Sequence, residues 1–122
     1  MAQLNTITKT TLGYEDHGVF TAYLSCQGDG TGIGVGGYVL DQFDPIAKER
    51  IGTEFGMSWI MEVMSTVGVD TWESLVGKKV FVLFEGTSPV SYLGKTASGI
   101  ANIDSGEAMI FKEFSVKYFG EE

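Results

Sequence analysis

The stretch QGDGTGIGVGGY, Gln27 to Tyr38, holds six glycines in twelve residues. Five of them (Gly28, Gly30, Gly32, Gly34 and Gly36) fall on every second position. In an extended chain, residues two apart point to the same side, so this spacing predicts a strand with one face stripped of side chains and Ile33 and Val35 on the other. Each glycine weakens a regular element by roughly 0.5–1 kcal/mol relative to alanine, so the bare face needs an offsetting gain. Close approach of a helix or second chain would supply one. So would a flat ligand or a phosphate lying against exposed backbone N–H groups. A bulged strand or a loop, with helix packing over it, is the plainer alternative. The triplet Gly32, Gly34 and Gly37 also fits G-x-G-x-x-G. The dinucleotide fingerprint, however, needs a helix to open within it, and here the strand-like YVLD follows.

Outward from the ribbon, the pattern is that of an α+β fold. Upstream, Thr6 to Tyr14 and Val19 to Cys26 read as strands joined by the polar turn YEDHG. Downstream, Asp44–Pro45 offers an N-cap with proline at the first helical position, and Thr53 offers a second cap. Phe55, Trp59 and Val63 recur at four-residue steps, and Met57, Ile60, Met61, Met64 and Val67 broaden the apolar stripe into a long helix that Gly68 would end. Asp70 or Thr71 would cap a short helix through TWESL. Beyond Gly77 the period returns to two: KKVFVLFEG, VSYLGKTA, GIANID and EAMIFKEFSVKYF all read as strands. The expected architecture is a mostly antiparallel sheet of six to seven strands with a helical insert, one long helix and one short, packed on it, in a single domain spanning residues 1–122.

Composition narrows the function. The chain is 43% hydrophobic, enough for a core without staples, and its one cysteine, Cys26, excludes an intramolecular disulfide. No signal-peptide pattern or membrane-length apolar run is visible, so a soluble intracellular protein is expected. Sixteen acids against eight bases give a net charge of −8, and Arg50 is the only arginine. A binder of nucleic-acid polymers needs a basic stripe, which is missing. An anionic partner would have to be small and held by a few placed groups.

The candidate chemical groups are few. GKT at Gly94 to Thr96 ends like a P-loop, but Pro89 stands where the first glycine should be; Lys95 is either a turn lysine or a phosphate contact. His17 and Cys26 could form a nucleophile pair, yet no oxyanion-hole motif accompanies them. One histidine and one cysteine cannot build the usual zinc shell. Asn102, between apolar residues in GIANI, either bonds backbone or caps a turn, or reads the edge of a purine. Tyr92 and Phe111 are core aromatics or stacking platforms. Arg50 and Lys48 form a solvated pair or contact phosphate. Gly34, Gly36 and Gly37 are the ribbon positions where a ligand would meet backbone. No catalytic set, cofactor site or metal site emerges from the residues.

Four segments together, LGYEDHGVFTAYL, GIGVGGYVLD, RIGTEFGMSWIMEVMSTVGVDTWESLVGKKVFVLFEG and GIANI, resemble the Thoeris anti-defence family of phage sponge proteins. The likeness spans roughly Leu12 to Ile103. It implies a protein in the cytoplasm of an infected bacterial host that binds and sequesters a cyclic ADP-ribose-type signal without degrading it. It further implies a homodimer or larger homo-oligomer with pockets between protomers. By the same resemblance Tyr92 and Asn102 would be the stacking aromatic and polar reader, and Lys112 or Lys117 would replace a C-terminal arginine that this chain lacks. The competing readings are a phage accessory module that docks on a host or virion protein, which the acidic charge would suit, and a nucleotide-processing enzyme.

Overall fold

A computed structural model describes residues 2–15, 18–28, 30, 32–84 and 97–119. The first strand, β1 (Ala2–Tyr14), changes partner along its length. Ala2 to Thr6 pair with β6 (Lys79–Phe84), while Thr6 to Tyr14 pair with β2 (Phe20–Gln27), both antiparallel. An irregularity between Ile7 and Lys9 marks the crossover. With β3 (Gly32–Val39), β7 (Ala97–Asn102) and β8 (Ala108–Ile110), these strands form one antiparallel sheet in the order β3-β2-β1-β6-β7-β8. The glycine ribbon is therefore an edge strand. The sheet curves enough to bring β3 near β7, although three strands separate them in the pairing order.

The helix α1 (Glu54–Val67) forms where its stripe and caps place it. The Thr53 hydroxyl accepts from the Gly56 N–H (2.9 Å) and donates to the Leu40 carbonyl (2.9 Å), so one cap satisfies the helix start and ties it to the end of the ribbon. Gly68, at φ +89°, closes the other end, its N–H and that of Val69 both donating to the Met64 carbonyl. Thr71 caps the short helix expected there, a single 3-10 turn over Trp72–Leu75. Ile7, Leu24, Val35, Trp59, Val63, Leu75, Val80, Val82 and Ile100, each 1% exposed or less, make the centre of the core between α1 and the sheet. No helix among the described residues is long and apolar enough to cross a membrane.

Two expectations are corrected. Asp44–Pro45 does not open a helix. It sits in the turn of a two-stranded sheet, β4 (Asp41–Asp44) with β5 (Glu49–Gly52), where the Asp44 carboxylate accepts from the N–H groups of Ile46 and Ala47. The carboxylate that would cap a helix caps a turn equally well, and the following residues lack an apolar stripe to extend it. Likewise EAMIFKEFSVKYF is a strand only as far as Ile110; Phe111–Phe119 is a second helix, α2. Phe111 is buried and Phe114, three residues on, packs its ring 5.7 Å from that of Phe55, a helical spacing that the scattered aromatics had disguised as alternation. The expected strand VSYLGKTA lies outside the described residues except for Ala97.

Gly56 lies on α1 so close to the Leu40 carbonyl that a Cβ there would overlap the backbone. Gly56→Ala gains about 1 kcal/mol of helix propensity but meets an overpacking cost of about 1–3 kcal/mol. The expected outcome is a net loss of stability by urea denaturation; a gain would show that the helix start can slide away from Leu40.

Candidate functional site

The bare face of the ribbon is covered from the neighbouring strand. Ser25 pairs with Gly34 and Tyr23 with Gly36, and the Tyr23 ring lies across the ribbon where a Gly34 side chain would stand. A Cβ on Gly37 would come within 3.1 Å of the same ring. The alternation of small residues thus makes room for one large aromatic from β2.

Between Tyr23 and Thr21 the ladder slips: β2 advances two residues while β3 advances three, from Gly36 to Val39. This bulge uses two residues at positive φ, Gly36 (+111°) and Gly37 (+83°). A Cβ on Gly36 would lie 2.6 Å from the Ala22 carbonyl oxygen and 3.2 Å from the Trp59 ring. The extra residue shifts the phase of the strand. Up to Val35 the odd positions face the core; after the bulge Tyr38 and Leu40 face it and Val39 turns outward. Tyr38 then joins an aromatic cluster, its ring 6.0 Å from Trp59 and 5.4 Å from Phe111. Partial burial holds its phenol above the usual range.

A cleft of about 320 Å³ opens beside this strand, lined by Tyr23, Gly32, Ile33, Gly34, Gly36 and Tyr38, with Ala97 of β7 opposite. Its volume is at the lower end for small-molecule sites. Its described walls offer two tyrosines, the aliphatic side chains of Ile33 and Ala97, and glycine backbone, and none of the lining residues named is charged.

The other sequence candidates are dispersed. Gly34 and Gly36 line the cleft and Gly37 lies under Tyr23. Tyr92 and Lys95 fall outside the described residues, as does His17. Asn102 ends β7, where its amide nitrogen donates to the carbonyls of Thr66 (3.1 Å) and Val67 (3.2 Å) and its oxygen accepts from the N–H groups of Asp104 (2.8 Å) and Ser105 (2.9 Å). The carboxamide is spent on backbone, joining the end of α1 to the β7–β8 turn. Lys112 is exposed at the start of α2 and Phe111 belongs to the core. Lys48, at φ +59°, sits in the β4–β5 turn. Cys26 is buried, and burial pushes its thiol up to about 11, so it is protonated at neutral pH.

Arg50 lines a separate groove with Tyr14, Phe20, Asp41, Ile51 and Gly52. Its Nε and Nη2 donate to the two oxygens of Asp41 (2.7 and 2.9 Å), one of which also accepts from the Phe20 N–H (3.2 Å). The Arg50 hydrogen bonds hold the Asp41 carboxyl below its ordinary value of 3.8, and Asp41 raises Arg50 in return. The pair fastens β4–β5 to β2.

Sequence reasoning missed Tyr23 and Tyr38 as cleft walls. Tyr38 adjoins the glycines in sequence and could have been flagged. Tyr23 becomes visible only once β2 and β3 are paired. Among the described residues no cluster of three metal-binding side chains occurs. Compared with known protein families, with curated proteins and with solved structures, the chain matches none.

Two outcomes follow from these ties. Asn102→Ala removes bonds to four backbone groups and leaves buried carbonyls unmatched, so a loss of about 1–3 kcal/mol is expected in urea unfolding; unchanged stability would make the amide dispensable to the fold. For Asp41, the folded pKa lies below the unfolded one, so its contribution is complete above about 3.8 and disappears as pH falls through the folded value. The difference in urea midpoint between wild type and Asp41→Asn should therefore be largest near neutrality and close in acid. A difference independent of pH would show that the ionised pair adds nothing.

Proposed function

We propose that this protein is a sponge: it binds a small nucleotide-type ligand of the cyclic ADP-ribose class beside the glycine ribbon and holds it unchanged. The observation that carries the reading is the cleft between Tyr23 and Tyr38 on a side-chain-poor edge strand. A flat base can stack on a tyrosine face, a contact worth about 1–3 kcal/mol. Edge-strand backbone with no β carbons lets polar groups of a ligand approach main-chain N–H donors closely. The ligand class itself comes from the sequence resemblance, as do the homo-oligomeric state and the cytoplasm of an infected bacterial host as the place of action.

A second reading, a protein-docking module, is favoured by one feature. The β4–β5 hairpin presents Phe43 (54% exposed) and Ile46 (92% exposed) to solvent. Apolar side chains displayed this way suit a protein partner.

Isothermal titration of the full chain with cyclic ADP-ribose isomers separates the two. The sponge reading expects saturable heat, and ligand recovered intact after heat denaturation of the complex. Gly34→Val drives a side chain into the Tyr23 ring, and should weaken binding by about tenfold or more, the equivalent of one lost stacking contact, with the far-ultraviolet circular dichroism unchanged. Absence of heat at high micromolar ligand would reject the sponge; altered ligand in the supernatant would mean catalysis.

A further inference from the structure

The second half of β1 has a partner on one side alone. From Lys9 to Tyr14 it pairs with β2, whereas β6 stops opposite Thr6; among the described residues no strand occupies the other side. Backbone N–H and C=O groups therefore face outward along about six residues, a length that can take a further strand. The side chains there are unusually open for a strand next to the sheet centre: Leu12 is 41% and Tyr14 70% exposed, and Lys9, Thr11 and Glu15 are exposed too.

We infer that this edge is a self-association surface, on which a second copy of the chain adds its own β1 antiparallel across a two-fold axis at Leu12. The charge pattern argues for a second copy. An antiparallel pairing centred on Leu12 sets Leu12 against Leu12, Thr11 against Gly13, Thr10 against Tyr14 and Lys9 against Glu15. Because the axis repeats every pair, the lysine–glutamate match occurs twice. Lys9 is the only cation and Glu15 the only anion from Lys9 to Glu15, so the segment is self-complementary despite the net charge of −8 of the whole chain. Pairs keep to one face: Lys9, Thr11, Gly13 and Glu15 share the face of Tyr23 and Ser25, while Thr10, Leu12 and Tyr14 share that of Leu24, Ala22 and Phe20. The two sheets would then run on as one, with Leu12 and Tyr14 covered on the helix side. This surface is distinct from the cleft on β3, and the inference rests on the homo-oligomeric part of the proposed function: a monomeric wild type that still gives saturable heat with ligand would overturn the assembly alone, and a dimer that gives none would overturn the sponge alone.

The test is a charge swap read by sedimentation equilibrium of the full chain from micromolar to millimolar concentration. Wild type should reach twice the chain mass. Lys9→Glu and Glu15→Lys each place like charges at both matched pairs and should weaken association about tenfold. The double variant Lys9→Glu, Glu15→Lys should restore it. A wild type that stays monomeric throughout, single variants that dimerise like wild type, or a double variant that fails to recover would each overturn the inference. A second measurement does not depend on charge. Leu12→Cys should form an intermolecular disulfide under mild oxidation, because the two copies of residue 12 meet at the axis. Thr10→Cys should not, because its copies lie four residues apart in register; buried Cys26 does not compete. Equal cross-linking of both variants, or of neither, would reject the register.

Discussion

The one-residue bulge at Gly36 and Gly37 is the constraint on which most of the architecture depends. A strand carries a strict two-residue period, so without the bulge Gly37 and Val39 would face the core and Tyr38 and Leu40 would face solvent. With it, the Tyr38 ring reaches Trp59 and Phe111, and Leu40 is buried with its carbonyl directed at the start of α1. The Thr53 cap, the close seat of Gly56 and the placement of α1 over the sheet all follow from that carbonyl's position. The bulge is available because two adjacent glycines adopt positive φ at no steric cost.

The same device produces the cleft. Upstream of the bulge the ribbon's outer face accepts the Tyr23 ring, and downstream Tyr38 turns inward, so two aromatics from different strands border a segment of bare backbone. The stability lost in a glycine-rich strand is offset by cross-strand aromatic packing on one side and by helix packing on the other. What remains is a recess in an edge strand rather than a filled sheet.

Two polar groupings act as fasteners. Asn102 joins the end of α1 to the β7–β8 turn, and Asp41 with Arg50 fastens the small second sheet to β2. Both residues invited functional readings because an isolated asparagine in an apolar strand and a lone arginine are uncommon. In the fold each is matched to backbone or to a counter-charge, as burial requires of a polar group.

The sequence by itself determined the α+β class, the course of β1, β2, β3, β6 and β7, and the long helix with its Thr53 and Gly68 ends, because these rest on local periodicity and capping that neighbouring residues decide. It also determined that one strand would lack side chains on one face. What covers that face was decided only by tertiary structure: Tyr23 meets Gly34 through strand register, which no local pattern encodes. Tertiary structure likewise decided that Phe111 begins a helix, since Phe114 needed Phe55, more than fifty residues away in sequence, to make that turn favourable. It decided that Asp44 closes a hairpin, since β4 is a strand only because β5 returns beside it. In each case the deciding energy is a contact between residues distant in the chain, and such contacts exist only once the strands have chosen their partners.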